Sequence, residues 1–60
     1  MYKKLHELAI GDRFCFGCNT YTVYGRLVRK GSASVAAKNV MNGNIDFFSP
    51  DVWVLIPWAQ

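Results

Sequence analysis

Negative charge is scarce in this chain. Glu7, Asp12, Asp46 and Asp51 are its only acidic side chains, against seven Lys and Arg, and none falls between Arg13 and Ile45. His6 is the single histidine, no two acids are spaced to share one face, and no Walker-type Gly-rich phosphate loop occurs. With neither a Ser-His-Asp set nor an acid pair to work with, the chain is expected not to be an enzyme. No apolar run approaches the roughly 18 residues that a membrane span needs. The apolar positions of residues 1–10 are interrupted before Gly11-Asp12-Arg13, so no secretory leader is expected either. These absences make a cytoplasmic protein without a membrane partner the expectation, and there Cys15 and Cys18 are expected to be reduced. Cys15-Phe16-Gly17-Cys18 is a lone C-x-x-C whose only further Cys or His donor is His6, one short of a closed zinc site. Four thiolates across a dimer axis are the remaining route to metal. The simpler reading is a pair of inert hairpin cysteines, with no metal or cofactor.

Long helices are missing as well. Gly and Asn recur so often after Gly11 that no amphipathic stripe of ten or more residues fits. With 52% hydrophobic and 18% charged residues the composition is one for packing, and sixty residues supply a single core, so residues 1–60 form one domain. Surface scaling leaves roughly 4,000 Å² exposed on folding. Apolar burial and chain ordering then nearly cancel at ~90 kcal/mol each, and self-association into a homo-oligomer is expected to supply the balance.

What is present reads as β-structure. Residues 12–16 make a first strand, followed by a Gly17-Cys18-Asn19 loop. Residues 20–30, rich in Thr, Tyr and Val, make a long second strand that Gly25 bends or bulges, ending at a Gly31-Ser32 turn. Residues 33–40 form a third strand with Ala33, Val35 and Ala37 inward and Ser34 and Lys38 outward. Asn42-Gly43 fits a type I′ hairpin turn into a fourth strand at residues 45–48. A Ser49-Pro50-Asp51 turn leads to a fifth strand at residues 52–56, stopped by Pro57.

Leu8-Ala9-Ile10-Gly11-Asp12-Arg13-Phe14, leading into the first strand, and Phe48-Ser49-Pro50-Asp51-Val52-Trp53-Val54, around the last turn, resemble the SH3-like small barrels. The resemblance implies an all-β, five-stranded, closed barrel, closure being one way to remove exposed sheet edges. It extends to the small barrel proteins of bacteriophages and other mobile elements, which implies a phage origin and transfers no site. Gly11-Asp12-Arg13 is also similar to the strand lead-in of plasmid-type dihydrofolate reductase. The Val-Gln-Ile-Tyr segment lining that enzyme's site has no counterpart, since Asn44-Ile45-Asp46-Phe47-Phe48 stands in its place.

Two surfaces are candidates for function. Arg13, Arg26, Arg29, Lys30 and Lys38 are cations with no acid among them. Alternation places Arg26 and Lys30 on one strand face with Thr22 and Tyr24, beside an outward Lys38, the footprint of a nucleic-acid or nucleotide binder with Tyr24 and Trp53 stacking on bases. A solvating face or a site for an acidic protein would look the same. If Val52, Val54 and Ile56 point inward, Trp53 and Leu55 point outward. With Phe48, set opposite to Ile45 and Phe47, and with Trp58, they would form an exposed interface group. That group suits a homo-oligomer, a host protein bound by a phage-type inhibitor or adaptor, a peptide groove or a base-stacking platform. Equally, one of these side chains could cover a barrel end by packing on Leu5 and Leu8.

Overall fold

A computed structural model describes residues 1–57. Six strands, β1 (Tyr2–Lys4), β2 (Arg13–Phe16), β3 (Asn19–Arg29), β4 (Ser32–Asn39), β5 (Ile45–Phe48) and β6 (Trp53–Leu55), form one antiparallel sheet in the order β1-β6-β2-β3-β4-β5. A single 3₁₀ turn, Leu5–Glu7, follows β1. The chain is therefore all-β, as the sequence implies, with one strand more than expected. Three residues are too few to show alternation, and β1 owes its conformation to pairing Tyr2 with Leu55 and Lys4 with Trp53. Closure is not met: β1 and β5 are the outer strands of the sheet, and no ladder joins them among the described residues.

The core gathers on one side of the sheet. Leu5, Phe14, Val23, Val35, Ala37 and Val54 are almost wholly buried, joined by Leu8, Tyr21 and Ile56. Val54 and Ile56 point inward as their alternation requires, and half-buried Val52 packs against the same cluster. The 3₁₀ turn is tied down over the core by Leu5 N–H donating to the Val52 carbonyl and His6 N–H to that of Pro50, both at 2.9 Å.

Turn chemistry explains the two-residue hairpin loops. Between Phe16 and Asn19 only Gly17 has positive φ, 63°, which suits a type II′ turn. Between Arg29 and Ser32 both central residues, Lys30 at 48° and Gly31 at 79°, lie in the left-handed region, as a type I′ turn requires. The type I′ turn is thus at Lys30-Gly31 and not at Asn42-Gly43, where Gly43 alone has positive φ. The connection from β4 to β5 is longer and is organised by buried Asn39. Its Oδ1 accepts from the N–H of Met41 at 2.8 Å and of Asn42 at 3.3 Å, and its carbonyl accepts from Gly43 N–H at 2.8 Å. Asn39→Ala is expected to lower stability by about 1–2 kcal/mol by removing the acceptor of the Met41 and Asn42 N–H groups, while Asn39→Asp keeps it. Urea midpoints of the two variants and the wild type check this, and an Asn39→Ala midpoint equal to wild type would show that the loop holds without the side chain.

The facing expected from the sequence is reversed at two places. The ladder between β3 and β4 shifts register between Val23 and Gly25, leaving Tyr24 as the extra residue of a β-bulge. The bulge is where Gly25 led us to expect a bend, and it reverses alternation beyond it. Arg26 pairs with buried Val35 on the core side, not on the face of Thr22 and Lys38. In β5, Phe48 pairs with Val35 and turns inward, whereas Phe47 is 63% exposed. The sequence reading sets Phe48 outward, opposite to Ile45 and Phe47. The structure takes the alternative because Phe14, Phe16 and Tyr21 hold Phe48 by edge-on ring contacts at 5.0–5.7 Å between centroids, while Asp46 on an outer strand stays exposed.

Candidate anion-binding face

Residues directly opposite in a ladder project to the same side, so the register assembles the outer face of the sheet. One row runs Arg13, Thr22, Lys38, Ile45 across β2, β3, β4 and β5. The next runs Tyr2, Leu55, Cys15, Thr20 across β1, β6, β2 and β3. Lys4 and Trp53 extend this second group by another pair, and Gly25, Ala36 and Phe47 lie on the other side of the first row. Arg13 and Cys15 are two residues apart on β2, so the cationic and apolar rows are contiguous.

Among the described residues no acidic side chain occupies a strand position on this face. Asp46 pairs with Ala37 on the core side, and Glu7, Asp12 and Asp51 lie outside the strands. Asp12 is engaged locally, its Oδ2 accepting the Ala9 N–H at 2.9 Å. Arg13 and Lys38, exposed and two strands apart, are separated by about 10 Å of backbone with only a threonine between them. Lys4 places its Nζ 5.5 Å from the Trp53 ring centroid, a cation–π contact that orients a ring left 59% exposed.

The sequence candidates separate into groups. Arg13 and Lys38 share the central row, and Arg29 stands on the same side farther out, opposite Ser32. Tyr24 is exposed at the bulge and Lys30 sits in the tip turn. Arg26 is withdrawn from the group: its guanidinium donates to the carbonyls of His6, at 3.2 Å, and of Leu8, holding the 3₁₀ segment to β3. Of the aromatic group, Trp53 is exposed and Leu55 half-buried on the outer face, Phe48 is packed inward as described, and Trp58 lies outside the described residues. Sequence reading missed Lys4, Tyr2 and Phe47. Lys4 and Tyr2 belong to a strand too short to recognise, and Phe47 was assigned to the opposite side.

Both cysteines are free. Cys15 is half-buried on the outer face with Sγ 3.6 Å from Thr20 Oγ1, and Cys18 is exposed in the β2–β3 turn. Among the described residues no three His, Cys, Asp or Glu side chains cluster as metal ligands. Nor is any helix there long and apolar enough to cross a membrane. No family model, curated protein or solved structure matches the chain.

Proposed function

We propose that the chain is a non-catalytic binding module that recognises an anionic ligand, a nucleic acid or nucleotide, on the outer face of an SH3-like fold. The observation that carries this reading is a face combining Lys4, Arg13 and Lys38 with an exposed Trp53 and, among the described residues, no acidic side chain at its strand positions. Cations there attract phosphate without local competition, and exposed rings offer bases a sequence-tolerant stacking surface. The SH3-like assignment is supported by the succession β6-β2-β3-β4-β5 and by a long, bulged β3 that can serve two sides of a small barrel.

Titrating a fluorescein-labelled mixed-sequence single strand at several salt concentrations tests the function. Three engaged cations give a slope of about −2 for log affinity against log salt. A flat dependence, or no binding at low salt, would sink the proposal.

Apolar content on the same face supports a second reading. Tyr2, 67% exposed, lies opposite Leu55 and one pair along from Trp53. Such a group suits a host protein bound by a phage-type inhibitor or adaptor in the cytoplasm, or a second copy of the chain. On this reading Trp53→Ala abolishes recovery of the partner while charge reversal at Lys38 leaves it intact. Undiminished recovery with Trp53→Ala would rule it out.

A further inference from the structure

The β3–β4 hairpin outgrows the sheet that supports it. β2 pairs with β3 only up to Thr22, and β5 pairs with β4 only from Val35 to Lys38. Beyond Arg26 and Val35 the pairs Leu27–Ser34, Val28–Ala33 and Arg29–Ser32 continue as a two-stranded ribbon with no strand on either flank among the described residues. At about 3.3 Å per residue it projects roughly 10 Å past the last supported pair. Isolated two-stranded ribbons are marginal in water, and this one also leaves Val28 74% and Leu27 44% exposed. Its β4 side is slender, built from Ser32, Ala33 and Ser34, and its tip carries Arg29 and Lys30 with no acid in the hairpin.

We infer that this ribbon is an arm that enters the major groove of duplex DNA. The inference rests on the anion-binding reading and narrows its ligand to a double-stranded one. A B-form major groove is about 12 Å wide and 8.5 Å deep and admits a two-stranded β-ribbon, so the length and slenderness of the arm match it. Arg29 and Lys30 supply the charge a groove walled by phosphates requires, and Arg29 can donate to guanine edges. Leu27, on the same ribbon face as Arg29, gains apolar partners in thymine methyl groups, while Val28 projects from the opposite face. Arg13 and Lys38, on the sheet from which the arm projects, then take the backbone phosphates. Duplex RNA is excluded by shape, because its major groove is too deep and narrow for side chains to read.

The test compares the full chain with the Arg29→Ser, Lys30→Gly double variant on three fluorescein-labelled probes of one sequence: a 20-base-pair DNA duplex, the corresponding RNA duplex and the DNA single strand. Lys30→Gly keeps the positive φ of the turn, and circular dichroism verifies the fold of the variant. The wild-type chain is expected to bind duplex DNA at least tenfold more tightly than duplex RNA. The double variant loses at least thirtyfold on duplex DNA, its salt slope falls by about 2, and its single-strand affinity changes less than threefold. Equal losses on all three probes would reduce the arm to a general charge and overturn the inference. So would an unchanged duplex affinity, or a change in sedimentation mass showing that a second copy covers the ribbon. If the wild-type chain binds the single strand but neither duplex, the arm inference fails alone. If it binds no probe, the anion-binding reading fails with it.

Discussion

Phe14→Ala is expected to strip the fold of most of its stability at 25 °C. Phe14 is wholly buried, stacked on Tyr21 at 5.5 Å between centroids and met edge-on by Phe48 at 5.7 Å. Truncating a core phenylalanine costs about 3–5 kcal/mol through lost burial and the cavity left behind. A sixty-residue domain at the usual ~0.05–0.15 kcal/mol per residue has about 3–9 kcal/mol in total, so most of the reserve goes. Far-ultraviolet circular dichroism through a urea titration is the measurement. A midpoint shifted to low urea, or no transition at all, is expected, and a midpoint close to wild type would mean that the aromatic cluster does not hold the sheet together. Phe48→Ala is expected to be intermediate, lowering the midpoint clearly, while Phe47→Ala leaves it nearly unchanged. The order of these three variants follows from which way each ring faces.

Reversing charge at Arg13 and Lys38 together is expected to reduce single-strand affinity at least a hundredfold at 50 mM salt. The two side chains flank Thr22 in one row, and two glutamates there would place acidic side chains at strand positions of this face. Each substitution removes an attraction and adds a repulsion, so the effect exceeds that of neutralisation. Both sites are exposed and away from the core, so the fold should persist. Arg26→Gln is the contrasting variant. It weakens the bonds to the His6 and Leu8 carbonyls and so lowers the urea midpoint by the equivalent of about 1–2 kcal/mol, with binding nearly unchanged. If Arg26→Gln weakens binding as much as the double reversal does, the outer face is not the site.

Local chemistry made much of the fold legible. Gly17, Gly31, Gly43 and Pro57 mark where strands turn or stop, and the alternation of Val52, Val54 and Ile56 identifies the inward side of the last strand. The cationic window between Arg13 and Ile45 is visible as composition. Its division between the outer face and the core side is not, because one bulge changes the parity of everything after it on that strand. Arg26 illustrates the difficulty: counting from Thr22 puts it outside, whereas the extra residue at Tyr24 turns it toward the core and the carbonyls it binds. Phe48 shows the same limit in a shorter strand, where alternation is visible but not which of its two faces turns inward.

The sequence by itself determined the all-β class, the strand-and-turn succession and the acid deficit, because these depend on local propensity, turn residues and composition. Only the tertiary structure decided the sixth strand, the open order of the sheet, the inward turn of Phe48 and the withdrawal of Arg26. It also decided that Arg13, Lys38 and Trp53 share one continuous face. Those outcomes depend on register between strands distant in the chain. A shift of one residue exchanges the two faces of a strand, and no local feature of the sequence carries that information.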